Sequence, residues 1–326
     1  MAYRSAMLAG CALVLSACPG RPVPVIGEIP DTERPGYVWR EIPSHTDAIL
    51  YHVWGSGPSD VFVGGNLGLI LHCDGMRCSR MPLPAQAWAM KVGGTAADDV
   101  WAIGSVSVFR YDGHAWRQIP VGLTVHRIGS MWAFGPSNVL FSIQQGKMLR
   151  FDGKSFSKEQ SPVNHLMQIW ASSKTDVFAV GGYGNVIHYD GDSWKKMDSG
   201  TTAHLKSVWG SGPNNVYAVG DSGVIIHYNG SRWQPQQSGV TEKLLAVWGS
   251  GPKDIYAAGR PDALLRFDGT RWRKVLVGWK ETLGVPSTAS ISGLWGSGPD
   301  CIYAVGPPGV VLRYMPADSA TGAGDP

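Results

Sequence analysis

Few residues of this 326-residue chain carry charge: Asp, Glu, Lys and Arg together make up 16 %, with a formal net charge of +3. No basic run with interleaved aromatics at a stacking spacing occurs, which argues against nucleic acid as a partner. No apolar run reaches the roughly 20 residues a membrane helix needs. HExxH, Walker-loop and paired-carboxylate settings are all absent, which removes the usual signatures of metalloprotease and nucleotide chemistry. Cysteine is scarce too: there are five, and they have no matching histidine cluster, so they make a poor zinc site. What the chain has in quantity is glycine (43), proline (22) and tryptophan (14). Glycine and proline at that density punctuate the sequence too often for a helical repeat.

The tryptophans recur because one short module is written seven times. It is clearest at residues 205–233, where the stretch Val-Trp-Gly-Ser-Gly-Pro is followed by Val216-Tyr-Ala-Val-Gly220, then Val224-Ile-Ile-His-Tyr228, then Asn229-Gly230 and Trp233. The anchor positions are Val61, Val100, Val139, Val177, Val216, Ile255 and Ile302, spaced 39, 39, 38, 39, 39 and 47 residues apart. Each unit reads as four short strands separated by turn signals. Four antiparallel strands in about 39 residues make one propeller blade. The seventh unit stops after Tyr314 without a fourth strand, and an orphan fourth strand, Tyr37-Val-Trp39-Arg-Glu, stands upstream of the first unit. The expected fold is therefore all-β: a single seven-bladed propeller over 37–316, monomeric, closed by Trp39 beside Tyr314 so that neither sheet edge is left open.

Cys73 and Cys78 replace the aromatic pair that flanks the third-to-fourth-strand turn in other units, such as Tyr189 and Trp194. Their β-carbons should face each other across the hairpin, which predicts a Cys73–Cys78 disulfide; Cys301 is left as a buried thiol. The first 17 residues read as a targeting segment: Arg4, then the apolar stretch Ala6–Leu15, then Leu15-Ser16-Ala17-Cys18. That ending resembles a bacterial lipoprotein signal. The resemblance implies cleavage before Cys18, lipidation of Cys18 including an acylated amino terminus, and attachment to a membrane through acyl chains. With Pro19 in the position after the cysteine it further implies the outer membrane of a Gram-negative envelope. Residues 18–36 are proline-rich and are expected to form a tether, and 317–326 a frayed polar tail.

Four patterns could carry chemistry. One basic residue recurs in every unit: His72, Arg110, Arg150, His188, His227, Arg266 and Arg313. Hairpin register places each opposite Phe62, Trp101, Leu140, Phe178, Tyr217, Tyr256 or Tyr303, so cross-strand stacking explains the ring of cations without a ligand. The first-strand tryptophans Trp54, Trp132, Trp170, Trp209, Trp248 and Trp295 read as wedges between blades rather than as carbohydrate platforms. Gly220-Asp-Ser-Gly223 matches the core of a chymotrypsin-like nucleophile motif but lacks companions for a triad. His52, Lys91, Ser130, Gln168 and Ser207 share one first-strand position, which makes the central channel polar if that position faces it.

The departure from period carries the most information. The 47-residue step holds an insertion, Val277–Ala289, on the rim that also bears the variable second-to-third-strand loops. Variable loops on a rigid scaffold are where binding usually sits. Trp279, Lys280, Arg260 and Tyr183 are the candidate rim residues, and the insertion reads equally as a tolerated loop extension. No cofactor is expected.

The Gly-Gly, Tyr and Trp placement resembles kelch repeats, and Tyr189-Asp-Gly-x-x-Trp194 resembles a degenerate Asp-box of sialidase-type propellers. The unit Val-Trp-Gly-Ser-Gly-Pro-x-Asp-Val-Tyr-Ala-Val-Gly is most similar to repeat lipoproteins of myxobacteria. That similarity covers 37–316 and is almost silent on activity. The leading expectation, by analogy at the level of the fold, is a non-enzymatic, envelope-anchored module that binds a protein or glycan, and the alternative is a sialidase-like glycoside hydrolase or a propeller lyase.

Overall fold

The structure is a computed structural model and describes residues 27–317, apart from 86–87, 89–90, 123–126, 144–145 and 277–278. The targeting segment, Cys18 and nearly all of the expected tail lie outside the described residues. Seven antiparallel sheets form the ring. Blade I comprises Leu50–Gly57, Asp60–Gly65, Ile70–Cys73 and Cys78–Met81, and blades II to VI repeat that order. Blade VII takes Gly293–Gly298, Cys301–Gly306 and Val310–Pro316 from the end of the chain and Tyr37–Glu41 from its beginning. Trp39 faces Tyr314 across this junction, as the repeat count requires.

Blade VII also carries a fifth strand that the sequence did not announce. Residues 28–36, expected as part of the tether, instead form Glu28–Pro30 and a turn, with Ile29 opposite Trp39. The Tyr314 hydroxyl donates to Asp31 Oδ2 at 2.6 Å, and Arg40 pairs with Glu28. Pro30 is tolerated because this is an edge strand, where a missing N–H interrupts no ladder.

The second strand of each blade is buried almost throughout, because it lies between two strands of its own sheet and between two neighbouring sheets. The cores are accordingly interblade layers. One of them joins Phe178 and Val180 of blade IV to Val208, Val216 and Ile226 of blade V. Wedge tryptophans seal these layers toward the axis. A β-carbon on Gly249 would lie 2.6 Å from the Trp209 ring and 2.8 Å from the Asp254 carbonyl, so only glycine fits after the wedge slot where the preceding tryptophan packs this closely. Trp54, Trp170, Trp248 and Trp295 meet Gly94, Gly210, Gly296 and Gly55 in the same way. Trp132 is the departure, since Ala171 replaces the glycine and the Trp132 ring lies 6.5 Å from that of Trp170.

Cys73 and Cys78 are opposite each other and bonded, and Cys301 is a buried free thiol. An acidic side chain caps the turn of this hairpin and of the equivalent ones in blades II, III, IV and VI. Asp112 accepts from the His114 and Ala115 N–H groups, Asp152 from those of Lys154 and Ser155, and Asp74 from those of Met76 and Arg77. These backbone donors hold all three carboxyls below the usual range. Asp190 is lowered first by Lys195 and then by Ser193 and Asp192 N–H groups, and Asp268 first by the Thr270 hydroxyl. A carboxyl depressed on folding stabilises fully above its unfolded pKa of about 3.9, and that contribution is lost as pH falls through the lower folded value. The melting temperature should therefore hold from neutral pH down to about pH 5 and fall below about pH 4. Asparagine at all five positions should flatten that acid limb, because Asn229 already caps the equivalent turn of blade V. An unchanged acid limb in the five-fold variant would assign acid unfolding to other groups.

Candidate functional site

The ring of basic residues is built as hairpin register requires. Each pairs with the residue after the anchor, from Phe62 opposite His72 to Tyr303 opposite Arg313. His188 stacks on Phe178 at 4.4 Å and His227 on Tyr217 at 4.4 Å, while Arg110 and Arg266 lie over Trp101 and Tyr256. The residue before the anchor closes a network that the sequence reading did not complete. Asp176 accepts from Ser172 and bonds His188 Nε2; Asp99 accepts from Thr95 and Arg110. In blades I and IV this places Ser, Asp and His in one chain, but the carboxylate stands between the other two, so the histidine is not positioned to take a proton from the serine. The Thr–Asp–Arg version in blade II has no base at all. The network ties the first-to-second-strand turn to the third strand and is structural.

The opposite rim is different. The second-to-third-strand turns of blades I, IV and V put Leu67, Tyr183 and Ser222 at their tips with φ of 53°, 58° and 59°, a left-handed conformation that costs a non-glycine residue about 1–2 kcal/mol. Hydrogen bonds on both sides hold the turns. Gly182 N–H donates to His165 O in the connection leading into the same blade, and Gly184 N–H to Ala203 O in the connection leading into the next. Leu67 N–H donates to Trp88 O in the connection between blades I and II. The tips are pinned yet outward-facing: Leu67 is 67 % exposed, Tyr183 68 % and Trp88 74 %. Among the described residues five large apolar side chains are more than half exposed, these three with Val106 and Met76, and of the five only Met76 lies on the other rim.

Tyr183 stands between two imidazoles, with ring centroids 4.8 Å from His204 and 6.1 Å from His165. These histidines belong to a column the sequence reading missed. Five residues before each wedge slot in blades II to VI come Trp88, Arg127, His165, His204 and Lys243, and the corresponding residues of blades I and VII are Ile49 and Ser290. The column contains no acid and precedes or opens the first strands on the variable-rim side. Aligning the repeats would have found it.

The insertion behaves otherwise than expected. Trp279 and Lys280, candidates for the binding rim, are 2 % and 8 % exposed. Trp279 Nε1 donates to Asp262 Oδ1 at 2.7 Å, and Lys280 Nζ to the Pro261 and Ser287 carbonyls at 2.9 and 2.8 Å. The short helix Trp279–Leu283 lies against the extra strand, with Leu283 over Gly27. The added residues therefore serve as packing for the closure blade, and these two side chains offer no open face to a ligand. Arg260 is exposed at the end of the second strand of blade VI, beside Lys243.

The first strands enclose a channel of about 300 Å³, lined by tryptophans toward the uniform rim and by His52, Lys91, Gln168, Lys206, Ser207 and Ser292 toward the variable one. Small hydroxyls here join neighbouring blades: Ser130 Oγ accepts from Ile169 N–H and Ser207 Oγ from Val247 N–H. Burial beside Lys91 holds His52 neutral, with its pKa lowered to about 3. Among the described residues no group of three or more His, Cys, Asp or Glu could hold a metal ion.

No family model matches the chain, and no curated protein matches it. Solved structures share the fold. YCF48 from Cyanidioschyzon merolae is 15 % identical with a TM-score of 0.70, over 85 % of this chain and 99 % of that one. YCF48 bound to D1 peptide is 18 % identical with a TM-score of 0.69, over 88 % and 99 %. Catalytically inactive virginiamycin B lyase from Staphylococcus aureus with quinupristin is 11 % identical with a TM-score of 0.74, over 86 % and 99 %. At these identities the likeness establishes the propeller fold.

Proposed function

We propose that this propeller is a non-enzymatic binding module, held at the outer membrane of a bacterial envelope by lipid on Cys18, that takes a polypeptide segment on its variable rim. The observation that carries the reading is the concentration of exposed apolar and aromatic side chains, Leu67, Trp88 and Tyr183, on turns pinned between blades. Rigid display lowers the ordering cost of binding, and aromatic residues on such a surface are the usual anchors of an interface. The acid-free column of Arg127, His165, His204 and Lys243 favours a segment carrying carboxylates. A propeller of the same fold solved with a peptide and another solved with quinupristin support a bound ligand on this scaffold.

The test uses the full chain and a variant with Leu67, Trp88 and Tyr183 all changed to serine. These side chains are largely exposed, so the melting temperature should move little. Capture from solubilised envelope followed by cross-linking should give a partner joined to residues of the variable rim, and the triple variant should lose it by more than about tenfold in affinity. A partner retained equally by the variant, or cross-linked to the uniform rim, would overturn the assignment. Binding of glycans but no protein on an array would favour the glycan form of the same reading.

A further inference from the structure

We infer that the central channel is itself a binding site, for a carboxylate whose apolar body lies along the tryptophans. This goes beyond the rim reading and does not depend on it. Lys91 opens the first strand of blade II and reaches past blade III to donate from Nζ to the Met167 carbonyl of blade IV at 2.8 Å, so its ammonium lies across the channel at the variable-rim end. The residues lining the channel include two lysines, Lys91 and Lys206, and no aspartate or glutamate. Lys206 has Asp221 at 3.6 Å, whereas no carboxylate among the described residues pairs with Lys91. An enclosed cation without a counter-charge is costly, and an anion that enters the channel relieves that cost.

A second, independent observation points the same way. His52 Nδ1 and Ser292 Oγ are buried, line the same channel and have no hydrogen-bond partner. They are two of the eleven such atoms among the described residues, and they are the two that line a cavity already holding an unpaired ammonium, where a polar ligand would satisfy them. Deeper in, the lining changes to Trp54, Trp132, Trp170, Trp209, Trp248 and Trp295 with Val53, Val208 and Leu294. A polar end with one unpaired cation and an apolar end with aromatic walls suit an aryl or alkyl carboxylate. The volume of about 300 Å³ lies at the small end of ligand sites.

The carboxylate could belong to a free small acid or to the end of a chain, and the probes separate these. Benzoate, benzamide, and a short peptide ending in phenylalanine as free acid or amide are titrated into the full chain by calorimetry and tryptophan fluorescence. Benzoate or the free-acid peptide should bind, and its neutral amide should bind at least about tenfold more weakly. Lys91→Met should lose the preference for the acid while keeping its melting temperature, and Lys91→Arg should keep the preference. Benzoate without the peptide identifies a free acid; the peptide without benzoate identifies a chain terminus. Burial and the Arg127 charge lower Lys91 to about 8. The groups facing it are Tyr51, His52 and Lys206, and His52 is already neutral, so affinity should fall as pH rises through about 8. If neither acid binds, or if Lys91→Met binds them as well as wild type, the channel is a plugged scaffold and the proposal fails.

Discussion

Replacing Trp39 by alanine is expected to destabilise the protein by about 3–5 kcal/mol, the cost of emptying a fully buried aromatic site. Trp39 is 2 % exposed, and its ring lies 5.1 Å from Tyr314 and 6.4 Å from Tyr256, so it packs both on its own blade and on blade VI. The strand that carries it joins the two ends of the chain into one sheet. Loss of this packing weakens the only seam at which the ring is not covalently continuous. Urea unfolding should show a lower midpoint and a broadened or biphasic transition, as blade VII loosens before the rest. Trp39→Phe should recover most of the loss. A single sharp transition within about 1 kcal/mol of wild type would mean that Tyr37, Val38 and the outer strand close the ring without it.

Trp279→Ala should be nearly as damaging, at about 3 kcal/mol, although the residue lies in an insertion. Its indole is buried in the closure-blade core with Trp39, Ile29 and Ile291, and its N–H satisfies Asp262. Alanine leaves a cavity and an unpartnered carboxylate oxygen on the neighbouring loop. Tyr183→Ala on the same rim should shift stability by no more than about 0.5 kcal/mol, since that ring is mostly solvated. Thermal melts of the two variants side by side decide the matter. If they melt alike, Trp279 does not anchor the insertion, and the helix is held by Lys280 and Leu283 alone.

The contrast between these two residues shows where sequence reading stops. Blade number, ring closure at Trp39, the Cys73–Cys78 bond and the aromatic–basic pairs were all legible, because each is fixed by a strand period of two inside a unit of about 39 residues. The strand Glu28–Pro30 was not, because three residues ending in proline have the composition of a linker and gain their structure only from Trp39 and Tyr314. Variable length drew attention to Val277–Ala289, but length does not say which side of a loop is dry. Tyr183 is exposed, as a rim residue must be, and Trp279 is not. Lys91 was visible as one of a column of channel residues. That no acid lines the same channel is a property of seven first strands brought together, and no stretch of the chain contains it.

The seam in blade VII also sets an order on the chain's history. Asp31 and Tyr314, joined by a hydrogen bond, are 283 residues apart. At roughly 5–20 residues per second, the amino-terminal strands are made roughly 15–60 s before the strand they pair with exists. On whichever side of a membrane the chain folds, six blades can assemble on contacts local to each unit, while Trp39 waits unpaired for the last. The last hydrogen bonds to form are thus the ones that join the oldest part of the molecule to the newest, and until then a growing arc is open to whatever else can add a strand to it.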